Sequence, residues 1–211
     1  MQSKPRSSKT EARAEAQRER ILLASQQCFA QHGFHSASMA SIAETAGMSA
    51  GLIYRYFDSK SDIILAIVQQ QLKLLREDLQ LCRNIDLASE IAARFGTANA
   101  QGEPGMNAAL LLEISAEATR DPRVAMALDE FDTTLRTGLV EWLVRAPETG
   151  GQGVPAELAP SRALLLQCLV DGLKVREARE PDLDRALLMT ALREFVALVT
   201  GPGDDLPGRP G

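Results

Sequence analysis

Apolar positions recur along most of the chain with the spacing of helix faces, and almost nowhere with the alternation of a strand. Over residues 10–32, Ile21, Leu22, Ser25, Cys28 and Phe29 fall on one face. This predicts a helix capped by Thr10 and stopped at Gly33, where a left-handed residue is needed. After a second break at Phe34–Ala37, two short helices are predicted at about 39–46 and 50–56, separated by Gly47-Met48-Ser49. Ser59-Lys60-Ser61-Asp62 has the Ser-x-x-acid spacing of a capping box. It opens a long helix through Ile63, Ile64, Ile67, Val68, Leu72 and Leu75 to Leu81. Further helical patterns occupy residues 86–99, 106–119, 122–145, 160–179 and 182–199, with Gln101–Gly105 interrupting the first pair and Pro122 in a first turn. Residues 1–9 read as a disordered basic arm, Ala146–Pro160 as a mobile loop and Gly201–Gly211 as a disordered tail. No strand pattern survives against these helices and no repeat is visible, so the predicted fold is all-α.

Composition agrees with that reading. Hydrophobic residues make up 45% and aromatics only 4%, with Ala and Leu abundant and runs of Val, Ile and Thr scarce. The 211 residues suffice for one large domain or two small ones. No apolar run reaches the roughly 18 residues that span a bilayer, and no signal-peptide core opens the chain, so a cytoplasmic protein with no membrane partner is expected. Cys28, Cys82 and Cys168 are scattered, with no CxxC pair and no histidine cluster. They fit structural thiols in a reducing compartment, and neither a disulfide framework nor a metal site is expected.

The net charge of −5 conceals an asymmetry. Residues 1–60 hold eight Lys/Arg against five Asp/Glu, whereas the remainder holds fifteen against twenty-three. A basic N-terminal segment suits a polyanionic partner and an acidic remainder suits solubility, although chance sorting of charges also gives such counts.

The chemistry concentrates in Met39–Asp58, MASIAETAGMSAGLIYRYFD. Two helices crossing steeply over a three-residue turn need a small side chain where they nearly touch, and Ala43 is there. The turn needs a residue tolerant of positive φ, which Gly47 supplies. Ile42, Ala46, Met48 and Ile53 are placed to fix the angle from inside. Ser38 and Ser49 each precede a helix, where they can cap it and offer a hydroxyl to a phosphate. An ordinary helical hairpin meets fewer of these constraints at once. The second helix is then a recognition helix, entering the major groove of double-stranded DNA by its N-terminal part. Its outward candidates are Ala50, Gly51, Leu52, Tyr54 and Arg55. Arg55 can take a guanine bidentately or hold a phosphate, and Tyr54 offers a hydroxyl and a ring face. Tyr56 and Lys60 sit where the DNA backbone would be gripped.

These residues also carry a resemblance. Ile42-Ala43, Ala46-Gly47-Met48-Ser49 and Gly51 followed by Tyr54-x-Tyr56-Phe57-x-Ser59-Lys60 resemble the DNA-binding domain of the TetR family, as does Phe29-Ala30-x-x-Gly33-Phe34 with Ser38. The resemblance covers residues 18–68. It implies DNA contact from Ser38, Ser49, Ala50, Leu52, Tyr54, Arg55, Tyr56 and Lys60. Family members often carry Lys at the place of Ala50 and Thr or Ser at the place of Leu52, so phosphate contacts transfer better than base contacts. It further implies a three-helix DNA-binding domain at residues 10–60, then a helical domain at 61–200 that dimerises and binds a small-molecule effector. A repressor released from its operator follows, with an effector-independent regulator as the alternative.

For dimerisation the sequence adds its own support. Ala163–Val175 is apolar almost all round, and the last helix carries Leu187, Leu188, Ala191, Phe195 and Leu198 on one broad stripe. Pairing two such helices from each subunit predicts an isologous four-helix interface involving Leu165, Leu169, Leu173, Leu187, Leu188, Ala191 and Phe195. Burial within a monomer would produce the same pattern. For an effector, Glu113 and Glu117 lie one turn apart and could face inward beside Phe95, Asn99 or Trp142, where they would suit a cationic or hydroxylated compound. Solvent, Arg120 or Arg94 are the competing partners. An enzyme is not indicated. His32 and His35 are the only histidines and flank the head, no phosphate-binding glycine motif is present, and no cofactor or catalytic residue is expected.

Overall fold

Nine α-helices and one short 3-10 turn make up the regular structure of the computed structural model, which describes residues 6–81, 86–96 and 107–201; no strand occurs among them. In chain order the helices are α1 (Arg6–His32), α2 (Met39–Ala46), α3 (Ala50–Ile53), α4 (Lys60–Leu81), α5 (Leu87–Arg94), α6 (Ala108–Ala118), α7 (Pro122–Val144), α8 (Ala159–Arg179) and α9 (Arg185–Thr200).

Local chemistry sets most of the boundaries. Gly33 stops α1 at φ +77°, as expected. Ser59 caps α4, with its hydroxyl 2.6 Å from Asp62 Oδ2 and accepting the Asp62 amide at 3.2 Å. Asp86, Asn107 and Asp184 cap α5, α6 and α9 through their side-chain oxygens. Pro122 occupies the first position of α7, where its missing N–H costs nothing.

Four expectations are corrected. The N-terminal arm is helical from Arg6, four residues before Thr10, while residues 1–5 lie outside the described set. Nothing between Ser7 and Ala12 breaks a helix, and extending an existing helix costs far less than starting one. α3 is four residues long instead of seven. Its end tightens into i→i+3 bonds, Arg55 N–H donating to Leu52 O at 3.2 Å and Tyr56 N–H to Ile53 O at 2.8 Å. α5 ends at Arg94, and residues 97–106 lie outside the described set. The segment expected as a mobile loop is tied back onto α7. Gln152 N–H donates to Trp142 O, Gly153 to Arg145 O and Val154 to Leu143 O, and Val154 is buried. These bonds satisfy carbonyls that every helix leaves open at its C-terminus. Residues 202–211 of the expected tail are outside the described set, whereas Gly201 O accepts a bond from the buried Arg162.

Packing divides the chain into two compact units, and the cut is not at residue 60. One unit takes the described parts of Met1–Gln71 and Gly102–Leu128; the other takes those of Leu72–Gln101 and Asp129–Gly211. In the first, Ile21, Phe29, Ile42, Ile53, Ile63, Ile64 and Ile67 share one core with Leu110 and Ile114 of α6 and Val124 of α7. Burying Leu110 and Ile114 stabilises that core by about 1.5–3 kcal/mol each, which is why α6 joins the head despite lying forty residues further along the chain. The second unit has two buried clusters. One joins Trp142, Leu143, Val154, Ala159, Ala163, Leu166 and Val199; the other joins Ala88, Ala92, Phe95, Leu188 and Leu192.

Candidate nucleic-acid interface

The helix-turn-helix is built from local bonds. Ser38 accepts the Ser41 amide at 3.0 Å while Ser41 Oγ accepts the Ser38 amide at 2.9 Å, a reciprocal cap at the start of α2. At its other end Gly47 has φ +62°, with Gly47 N–H bonded to Glu44 O and Met48 N–H to Ala43 O. Arg20 of α1 donates to Ala46 O at 2.6 Å and closes the same end. Ser49 caps α3, accepting the Leu52 amide at 3.3 Å. Ile42, Ala43, Ala46 and Ile53 are buried and Met48 packs against them, so the crossing of α2 and α3 is fixed from inside, as the spacing predicts.

What remains outside is the candidate reading face. Ser38, Ser49, Gly51, Tyr54 and Arg55 are exposed, Tyr54 by 53%. Ala50, Leu52 and Tyr56 are half-buried, and the first and last of these also pack against the core. A Cβ built on Gly51 meets nothing within 4 Å, so the chain's own packing does not demand glycine there.

Lys60 is the exception to the expected set. Its ammonium group donates to Phe34 O, His35 O and Ala37 O, and lies 4.6 Å from the Phe34 ring centre. Its three N–H groups thus close the loop between α1 and α2, leaving none for a phosphate. Burial lowers its pKa, partly opposed by the charge of Glu117. The backbone-gripping role expected of Lys60 is therefore withdrawn.

The expected effector residues do not assemble. Glu113 Oε2 accepts the Phe34 amide at 2.7 Å, in the first unit. Glu117 is buried beside it, with His35 Nε2 3.9 Å away. Neither pairs with Arg120 or Arg94: the Arg120 guanidinium bonds Ala116 O, and Arg94 lies near Asp78 and Glu90. Phe95 and Trp142 belong to separate clusters of the second unit, and Asn99 is outside the described residues. Sequence reasoning did not find a cleft among the described residues of that unit, about 370 Å³, lined by Arg76 and Leu79 of α4, by Trp142 and neighbouring residues of α7, and by Arg145. Only Trp142 of these was anticipated. The helix register that brings α4 against α7 leaves no trace in local spacing.

The expected dimer residues divide as well. Leu165, Leu187 and Ala191 are exposed, but Leu188 is buried, Leu169 and Leu173 pack onto the cluster around Phe95, and Phe195 packs onto the cluster around Trp142. An apolar helix shows its sequence all round, and only tertiary packing decides which stripe turns inward. Leu164, not anticipated, and Leu198 join the exposed set.

A capped helix-turn-helix with an exposed second helix, carried on an all-helical chain, defines a DNA-binding transcriptional regulator. Residues 21–67 match the family model described as bacterial regulatory proteins, tetR family, and residues 96–201 match that of the BetI-type transcriptional repressor, C-terminal. The HTH-type transcriptional regulator UidR of Escherichia coli (strain K12) is 32% identical over 171 residues, covering 79% of this chain and 85% of that protein. Salmonella enterica GusR superposes with a TM-score of 0.69 at 27% identity, over 88% of this chain and 95% of that one. A transcriptional regulator from Saccharomonospora viridis, solved in complex with choline, gives 0.59 at 25% identity, over 87% and 96%. The chain belongs to the TetR family of bacterial transcriptional regulators. Among its described residues no helix is long and apolar enough to cross a membrane.

Proposed function

We propose that the chain acts in the cytoplasm as a homodimeric repressor, released from a pseudo-palindromic operator by a small-molecule effector. The exposed, capped α3 carries the DNA part of this reading, with Tyr54 and Arg55 at its end and Ser38 and Ser49 at the two caps. Arg55 makes no side-chain bond among the described residues and keeps its guanidinium for DNA. The match of residues 96–201 to a repressor C-terminal model supports repression.

A second copy is the occupant proposed for the exposed stripe of Leu164, Leu165, Leu187, Ala191 and Leu198. Gly172 on α8 is exposed and a Cβ there meets nothing within the chain, which supports close approach by a partner helix. Two recognition helices of such a dimer would enter successive major grooves about 34–36 Å apart.

Fluorescence anisotropy against DNA flanking the gene, at two salt concentrations, tests the reading. Saturable binding that needs both half-sites is expected. Equal, salt-sensitive binding to every fragment would overturn operator recognition. Leu187→Glu should yield monomers by sedimentation velocity and lose that binding, and a variant that remains dimeric would remove α9 from the interface. Choline, the ligand of the Saccharomonospora viridis structure, belongs in the effector screen.

A further inference from the structure

No residue of α1 from Thr10 to Arg20 is buried, and burial begins at the next position, Ile21. The charged positions of this outlying stretch are sorted by side. At 100° per residue, positions Arg6, Lys9, Arg13, Gln17 and Arg20 share one sector about 80° wide, and Glu11, Glu15 and Glu19 share another nearly opposite. A helix kept charged only for solubility gains from interleaved signs, because opposite charges one turn apart stabilise it and like charges destabilise it. Here Glu11, Glu15 and Glu19 succeed one another at i,i+4, as do Lys9 and Arg13. Glu15 with Arg18 is the single opposite pair at three or four residues within 6–20. A stretch without buried residues that also stacks like charges gains little helical stability of its own, so the sorting points to a counter-charge outside the chain.

Two contacts fix where the basic side lies. Arg20, at its inner end, donates through Nη2 to Ala46 O at 2.6 Å, and a Cβ on Gly47 would lie 3.4 Å from the same nitrogen. The basic side therefore borders the turn of the helix-turn-helix, beside the Ser49 cap of α3. On another side of α1 the Arg18 guanidinium lies 4.5 Å from the centre of the Phe57 ring, just beyond α3. From Arg6 to Arg20 the helix rises about 21 Å, the length of about six base pairs of duplex. Arg13, midway along, is exposed and makes no side-chain bond among the described residues.

We propose that the Arg13 side of α1 lies along the phosphate backbone of the DNA that flanks each half-site, extending the interface beyond the helix-turn-helix. Its contacts are to phosphates, so they add affinity and fix orientation without reading sequence. The acidic side enforces that orientation, because Glu11, Glu15 and Glu19 would meet the same phosphates with repulsion. This contact deepens the operator reading and takes from it only that the protein meets duplex DNA.

Full-length protein is titrated by fluorescence anisotropy, over a salt series, against a duplex from the DNA flanking the gene and a scrambled duplex of equal length. Arg13→Gln should lower the slope of log K against log salt by about 0.9 per bound subunit on both duplexes. Gln17→Arg, which fills the gap in the basic side, should raise it by a similar amount. Glu15→Gln adds the same charge on the opposite side, a helix diameter of about 10 Å away and so about one Debye length at 0.1 M salt. It should leave the slope close to that of the parent. None of the three replaced residues is buried, so thermal melts by circular dichroism should match the parent. The proposal is overturned if Arg13→Gln keeps the parental slope on both duplexes, or if Glu15→Gln and Gln17→Arg change it equally. The two duplexes separate this contact from operator recognition. A parent that binds both alike, with a slope that Arg13→Gln lowers, removes operator recognition and leaves the α1 contact standing. A parent that prefers the flanking-gene duplex, with all three variants behaving like it, does the reverse.

Discussion

Replacing Lys60 by Met tests whether this side chain holds the protein or the DNA. The ammonium group bonds three carbonyls of the α1–α2 loop and lies over the Phe34 ring. Hydrogen bonds to a charged donor contribute about 1.5–3 kcal/mol each, and a cation over an aromatic face about 0.5–2. Those values do not add, because His35 O is exposed and rehydrates once the donor is gone. The desolvation that lowers the Lys60 pKa is also relieved by the substitution. Methionine keeps the apolar stem in place. The net loss expected is about 2–4 kcal/mol, read as a lower urea midpoint at unchanged m-value. Operator binding supplies the second readout. A lysine that neutralises one phosphate contributes about 0.9 to the slope of log K against log salt. Here that slope should stay unchanged, even if affinity falls because the loop before α2 has loosened. Stability within about 0.5 kcal/mol of the parent, together with a slope reduced by about one unit, would refute the reasoning and return Lys60 to the DNA.

Three further substitutions follow from the same geometry. Gly51→Ala places a methyl group in open space, so it should stabilise the isolated protein by about 0.5–1 kcal/mol in thermal unfolding yet weaken operator binding; undiminished affinity would turn Gly51 away from the DNA. Glu113→Ala removes the acceptor of the Phe34 amide and should cost about 1–3 kcal/mol in urea unfolding, whereas Glu113→Gln keeps an acceptor and should recover most of it. Ser59, and after it Arg123, hold the Asp62 carboxyl below its ordinary pKa, so its contribution is present above the usual carboxylate range and is lost as pH falls through the depressed value. The melting temperatures of the parent and Asp62→Asn should therefore differ most near neutrality and converge below about pH 4; a constant difference would exclude the carboxylate as the cause.

The helices were legible because most carry their own periodicity and several their own cap, and the helix-turn-helix because its constraints all fall within twenty residues. Ala43, Gly47 and Ile53 can be assigned from spacing alone since their neighbours in space are their neighbours in sequence. The unit boundary was not legible. Leu110 and Ile114 look the same whether they complete the core of the head or that of another domain. Lys60 misled for a similar reason, because a lysine at a helix start reads alike whether its partners are phosphates or the carbonyls of residues 34–37. Glu113 and Glu117 were correctly placed on one face, but what that face meets depends on α6 packing beside α1. Trp142 was identified and its company was not, since Arg76 lies more than sixty residues earlier in the chain.

Two of the residues that sequence reading misassigned, Lys60 and Glu113, converge on the loop from Gly33 to Ala37. Glu113 of α6 accepts its Phe34 amide, Lys60 of α4 donates to three of its carbonyls, and the Phe34 ring packs 5.4 Å from that of Phe29. That loop delivers Ser38 to the start of α2, and Ile42 and Ile53 share the core that carries α2's position on to α3. The setting of the recognition helix therefore depends on two helices outside the helix-turn-helix. A coupling of about 1–3 kcal/mol between effector and operator, the usual range, is no larger than one charge-assisted hydrogen bond. Withdrawing the Glu113 carboxylate by an ångström from its 2.7 Å contact would remove that much. An effector in the proposed switch thus needs no large rearrangement. It needs only to prefer the arrangement in which α6 or the first turn of α4 has let go of this loop, since a ligand shifts an equilibrium by its differential affinity and by nothing else.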